Sequence, residues 1–149
     1  MEEDIEEHTL ILIKPDGVWR RLVGEILTRF ERINSFMLCE MKMLTMTKKM
    51  AEDLYKEHVG KPFFSVLIGG MTYAPVIALV LKGPNVVEKC RKLVGSTNSL
   101  EAEPGTIRGD FGDGEIIYQN LVHASDSKES AEREILIYFP HFFNERNVR

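Results

Sequence analysis

At 149 residues and 17.1 kDa, the chain has the length of one domain and can bury a core without disulfide support. Its hydrophobic share of 44% and charged share of 28% exclude a disordered chain, and a net charge of −4 argues against a broad electrostatic nucleic-acid binder. Cys39 and Cys90 stand far apart, which fits neither a disulfide scaffold nor a C-x-x-C metal ribbon and suits a reducing compartment. No apolar run is long enough to span a bilayer. The acidic start, residues 1–7, lacks the basic and apolar regions of a secretory signal and reads as a solvated tail. One domain over residues 1–149, located in the cytoplasm and with no membrane or nucleic-acid partner, is the expectation.

In chain order, His8 to Lys14 is an apolar run of β formers stopped by Pro15-Asp16-Gly17, which predicts a buried strand and a turn. From Leu22 to Ile33, apolar residues recur at helical spacing. Phe36 to Leu44 alternates and predicts a second strand. Thr47 is a candidate N-cap for a helix containing Met50 and Leu54. Pro62-Phe63-Phe64 opens a short helical segment that ends near Gly69-Gly70. Pro75 to Leu81 is the clearest strand. Gly83-Pro84 then predicts a helix start, with Pro in the first turn, and Gly95 a helix end. Residues 95–118 lack periodicity, and a loop of that length in a small domain implies a function. Asn120 to His123 predicts a short strand, with Leu121 and His123 on one face. Asp126 and Glu129 have capping-box spacing before a last helix that lines up Ala131, Ile135 and Tyr138. This order fits an α+β, ferredoxin-like β-α-β-β-α-β sandwich: a four-stranded antiparallel sheet with helices on one face.

The chemistry concentrates in Asn120-Leu121-Val122-His123-Ala124-Ser125-Asp126. Taken singly, a histidine on a strand is an ordinary structural residue. Here it sits at a strand-to-helix junction, where free backbone N–H groups favour anions. Glu134 falls beside the buried stripe of the last helix, where a carboxylate needs a partner. A histidine held by a carboxylate through one ring nitrogen presents the other as a nucleophile. Lys14, Arg91 and Arg108, with the hydroxyl of Thr97, are dispersed in sequence. Each alone reads as a solvated surface group, and the stretch Pro104 to Asp110 matches neither a P-loop nor G-x-G-x-x-G.

Five motifs taken together resemble the nucleoside diphosphate kinase family, in that family's order and nearly its spacing. They are Ile13-Lys14-Pro15-Asp16-Gly17-Val18, Tyr55-Lys56-Glu57-His58 with Pro62-Phe63-Phe64, Arg91 to Asn98, Pro104 to Asp110, and Asn120 to Asp126. The resemblance runs from about Thr9 to Pro140. It implies a phosphohistidine mechanism in which His123 takes the γ-phosphate of a nucleoside triphosphate and passes it to a diphosphate. It implies that Glu134 and Ser125 orient His123, and that Lys14 and Asn120 hold sugar hydroxyls and nearby phosphate oxygens. Tyr55, His58, Arg91, Thr97 and Arg108 match phosphate-side positions, and Phe63 matches the ring on which the base stacks. Mg2+ would arrive on the nucleotide, with no metal site in the protein itself. A homo-oligomer is implied, a hexamer by preference and a tetramer as the alternative.

The sequence also departs from the family pattern. The stretch from Phe111 to Gln119 is slightly long, and Ile116 or Ile117 is the candidate aliphatic contact to the base. Ser99 stands where proline is usual, and the extension 141–149 is short. Two other readings compete: a non-catalytic ferredoxin-like nucleotide-binding regulatory module, and an RNA-binding sheet. The first has no need of His123 and Glu134. The second needs strand aromatics that Thr9 to Ile13 and Val76 to Leu81 lack.

Overall fold

The computed structural model describes residues 5–144. The first strand, β1 (Glu6–Ile13), starts before the expected His8, so Glu6 and Glu7 belong to the sheet and not to a tail; residues 1–4 lie outside the described part. Pro15-Asp16-Gly17 forms more than a turn: it opens a single-turn helix, α1 (Pro15–Trp19), with proline at the first position, where its missing N–H is harmless. There follow α2 (Val23–Glu31), β2 (Met37–Leu44), α3 (Lys48–Leu54), α4 (Phe64–Thr72), β3 (Val76–Pro84), α5 (Val86–Val94), α6 (Ile107–Phe111), β4 (Val122–Ala124) and α7 (Lys128–Tyr138).

The sheet order is β2-β3-β1-β4 with every neighbour antiparallel, the ferredoxin-like arrangement. β1 and β3 are central and buried on both faces, which is why each reads as a continuous apolar run. Side chains alternate across β1. Ile11 and Ile13 join Phe30 of α2 and Cys90 of α5 on one face; Leu10 and Leu12 join Ala51 of α3, Ile68 of α4 and Ile135 of α7 on the other. The two crossover helices of the ferredoxin-like core, α2 and α5, thus share one face. The remaining long helices cover the second face as an added layer. Edge strand β2 is mostly exposed and carries an irregularity between Leu38 and Glu40.

Local chemistry sets several boundaries. The Thr47 hydroxyl accepts the Met50 N–H at 3.1 Å, as the cap pattern predicts. The cap of α7 is Ser127 and not Asp126, because the Ser127 hydroxyl accepts the Ser130 N–H at 3.1 Å. Pro84 ends β3 where a helix start was expected; Asn85, at φ 54°, makes the corner into α5. α4 runs through Gly69-Gly70, since the buried Leu67, Ile68 and Met71 hold it in place. The extension after Pro140 is in part core: Phe142 is buried against the His8 ring at 5.2 Å, while residues 145–149 lie outside the described part.

Gly17 sits where α1 passes the sheet end. A Cβ there would lie 2.9 Å from Ile13 Cγ2 and 3.1 Å from the Leu121 carbonyl oxygen, and that carbonyl already accepts the Lys14 N–H at 2.8 Å. Gly17→Ala should therefore displace backbone and lower stability by about 1–3 kcal/mol. A urea midpoint equal to wild type would contradict this packing account.

Candidate active site

Three chain segments converge at the open end of β1 and β4. Lys14 leaves β1, Asn120 precedes β4, and Arg108 lies on α6 in what the sequence presents as an unstructured glycine-rich stretch. Within the segment before β4, Leu121 has φ 73°, a left-handed conformation that a branched side chain rarely adopts. It is clamped from three sides. The Asp16 carboxylate accepts its N–H at 3.1 Å, its carbonyl accepts from Lys14 N, and its buried side chain joins Val122 and Ala124 in the α2–α5 core. This left-handed residue breaks the expected alternation, so Leu121 and His123 point to opposite faces.

His123 pairs with Leu12 in the antiparallel register, and Leu12 belongs to the α7 side of the sheet. Glu134, one turn beyond buried Ala131, comes down from α7 onto that same side. His123 Nε2 and Glu134 Oε1 lie 2.5 Å apart, and Glu134 is 3% exposed. The Ser125 hydroxyl, fully buried, donates to the same carboxylate oxygen at 3.1 Å. An ionised carboxylate only accepts, so the proton of this pair belongs on Nε2. Among the described residues Nδ1 has no protein hydrogen-bond partner, and the ring borders a cleft of about 380 Å³.

The cationic wall of this cleft is built on backbone. Lys14 Nζ donates to Asn120 Oδ1 at 2.7 Å and to the Tyr118 carbonyl at 3.3 Å; Asn120 Nδ2 donates to the Thr97 carbonyl at 2.8 Å. Burial, and next the charge of Arg108, pull the Lys14 ammonium down to about 7, with Asp16 opposing. Arg108 donates to the carbonyls of Asn120 (3.1 Å), Gly95 (3.0 Å) and Val122 (2.6 Å). Three of its five N–H groups thus tie the end of α5 to β4, and two remain for the cleft. Burial and then Arg91 lower its pKa to about 10, so it stays charged at neutral pH. Gly95, at φ 93°, allows this closure: a Cβ there would meet Thr106 Oγ1 at 2.5 Å.

On the α7 side Tyr55 meets the His123 ring edge-on at 6.2 Å. Burial, reinforced by Glu134, pushes its phenol up, so Tyr55 remains an O–H. His58 packs against Phe63 at 5.4 Å, and Arg91 and Thr97 border the cleft from the end of α5. All eleven residues singled out from the sequence are brought to one region: ten border the cleft directly, and Ser125 lies behind His123. Ile116 and Ile117 are exposed and do not border this cleft, whereas Tyr118 does. Three other contributors escaped the sequence reading. Asp16 pins Leu121, Arg133 donates to the Asp53 carbonyl at 2.7 Å beside Glu134, and Tyr118 stacks on Phe63. Only Asp16 carried a local signal, as a carboxylate within an otherwise apolar strand-to-helix corner.

Comparison with known proteins gives one consistent answer. The family model described as nucleoside diphosphate kinase matches residues 7–143. The nucleoside diphosphate kinase of Pyrococcus furiosus is 53% identical over 135 residues, spanning 89% of this chain and 83% of that one. That of Archaeoglobus fulgidus is 52% identical over 133 residues, 89% of this chain and 86% of that one. The crystal structure of the Aquifex aeolicus nucleoside diphosphate kinase superposes with a TM-score of 0.85 at 38% identity, covering 91% of this chain and 96% of that one. The Halobacterium salinarum nucleoside diphosphate kinase in complex with CDP also gives 0.85, at 39% identity, covering 91% and 88%. Because the span matched by the family model contains every residue that lines the cleft, the site and the ancestry are one result: this chain belongs to the nucleoside diphosphate kinase family.

Proposed function

We propose that this chain is a phosphotransferase that takes the γ-phosphate of a nucleoside triphosphate onto His123, releases the diphosphate, and passes the phosphoryl group to a second nucleoside diphosphate. The observation that carries this reading is the His123–Glu134 pair: the buried carboxylate occupies Nε2 and leaves the Nδ1 lone pair toward a cation-lined cleft. In the first half-reaction the Nδ1–P bond forms as the bond from Pγ to the β,γ-bridging oxygen breaks, and that oxygen leaves with the electron pair. Positive charge grows on the ring meanwhile, and Glu134, held by Ser125, offsets it through Nε2–H. The second half-reaction runs the same steps backwards with a new diphosphate. The two nucleotides never need to be bound together.

The remaining groups position and neutralise, which is most of what phosphoryl transfer asks of a protein. Arg91 and the two unused N–H groups of Arg108 face the phosphates, with Thr97, His58 and the Tyr55 O–H beside them. Lys14 and Asn120 serve the sugar hydroxyls and adjacent phosphate oxygens. Phe63 serves the base, and because every base has a π-face, discrimination among bases is weak. Among the described residues no cluster of three His, Cys, Asp or Glu side chains is placed to hold a metal. We take the substrate to be the nucleotide with its own divalent cation, read as Mg2+, which lowers the charge on the phosphates.

We also read the protein as a homo-oligomer, a hexamer by preference over a tetramer. The exposed apolar side chains of edge strand β2, with Met37 62%, Met41 50% and Met43 58% exposed, support assembly; light scattering coupled to size exclusion decides the number. A cytoplasmic location and a single domain over 1–149 complete the proposal. Unpaired Cys39 and Cys90 support the first. No described helix is long and apolar enough to cross a membrane.

His123→Ala should reduce ATP-to-diphosphate exchange by on the order of 10⁴-fold, and wild-type protein labelled from γ-32P-ATP should lose its label in mild acid and keep it in base. Acid-stable label would place the phosphate on another residue type. Glu134→Gln keeps the shape but removes the charge, and should lower kcat at saturating nucleotide roughly tenfold or more while altering KM less; an unchanged kcat would reduce Glu134 to packing.

Lys14 gives a pH signature. Below pH 7 it is already charged in the free protein, whereas above it the ammonium is largely neutral and arriving phosphates restore the proton. ADP binding at pH 8 should thus take up a substantial fraction of a proton that Lys14→Gln does not, with the difference vanishing near pH 6. Calorimetry in buffers of different ionisation enthalpy measures it, and equal uptake by both proteins at pH 8 would refute the assignment.

A further inference from the structure

One face of the half-buried Phe63 ring is taken by another ring. Tyr118 stacks on it with centroids 5.5 Å apart and planes inclined by 21°. His58 packs against it at 5.4 Å, and Lys61 Nζ stands 5.8 Å from its centroid. A planar base between two rings needs about 7 Å from plane to plane, twice a carbon–carbon contact distance. The perpendicular gap between Phe63 and Tyr118 cannot exceed their centroid separation of 5.5 Å, so a base cannot slide between them.

We propose that Tyr118 is an internal occupant of the base position, an affinity-setting residue whose ring must be displaced before a nucleotide base can stack on Phe63. This rests on the reading of Phe63 as the base platform. The tether of Tyr118 points the same way. Its carbonyl accepts from Lys14 Nζ at 3.3 Å, and Lys14 is the group assigned to the sugar and phosphates. A nucleotide that engages Lys14 competes for the donor holding the Tyr118 backbone while its base competes for the ring's stacking partner. The segment around Tyr118 is built to yield. Gly114 turns at φ 75°, and the flanking Glu115, Ile116, Ile117 and Gln119 are exposed. Tyr118 is therefore held by its stack and its carbonyl, not by a core.

The test uses the full chain and follows equilibrium binding of ADP and, as a base-free probe, of tripolyphosphate. An aromatic stack contributes enough that Tyr118→Ala should tighten ADP binding about 2- to 10-fold, Tyr118→Phe should bind ADP as wild type does, and tripolyphosphate affinity should be the same in all three. Weaker ADP binding by Tyr118→Ala would make Tyr118 a wall of the site and overturn the proposal, as would unchanged binding or an equal gain for tripolyphosphate. Phe63→Ala placed in the Tyr118→Ala background separates the two readings. If it weakens ADP while Tyr118→Ala alone had no effect, the base platform stands and the competitor falls; if ADP affinity is indifferent to both changes, the platform itself is refuted.

Discussion

A carboxylate buried to 3% exposure cannot be left alone, because removing its hydration without replacement is among the largest penalties a fold can incur. Glu134 is such a group, and much of the site is the answer to its burial. Its Oε1 gathers the His123 ring nitrogen and the Ser125 hydroxyl, two residues of the short β4 segment, while α7 supplies Glu134 itself. Ser125 also meets the Leu10 backbone of β1, accepting its N–H at 3.3 Å. One buried charge therefore fixes helix, edge strand and central strand to each other and fixes which nitrogen of His123 is available for chemistry.

The cations obey the same rule with the opposite sign. Lys14 and Arg108 are too deep to be solvated charges, and neighbouring positive charge lowers both. The protein gives their nitrogens backbone carbonyls and the Asn120 amide as acceptors, so both groups are held in place before any substrate arrives, Arg108 already charged and Lys14 regaining its full charge as phosphates bind. Such prepositioned charge needs little reorganisation during transfer. It also concentrates positive potential in one cleft of a chain whose net charge is −4. Leu121, held left-handed between Asp16 and Lys14, is the strain that this arrangement tolerates.

Much of the architecture was legible in the chain. The apolar runs of β1 and β3, buried on both sides, and the stripes of α2, α5 and α7 follow from periodicity, because burial imposes that pattern directly on sequence. The five motifs brought the site residues together by resemblance. Boundaries were read less well where two local rules compete. Pro84 could open a helix or close a strand, and the sheet register with Glu6 decided for the strand. Ser127 outcompeted Asp126 as a cap by backbone geometry that no spacing rule encodes.

By itself the sequence determined the strands and the longer helices, though not the single-turn helices α1 and α6, and which residues carry charge, hydroxyl or aromatic character, since these depend on side-chain type and on contacts a few positions away. Tertiary structure alone decided that His123 turns toward α7 while Leu121 turns away, that Nε2 and not Nδ1 is bound, that Arg108 divides its donors between backbone and cleft, and that Tyr118 and not Ile116 or Ile117 covers Phe63. Each of these joins groups distant in sequence through a single left-handed residue, a strand register or a loop closure. Such long-range geometry leaves no periodic trace in the chain because it is set by which buried polar groups find partners once the core has formed.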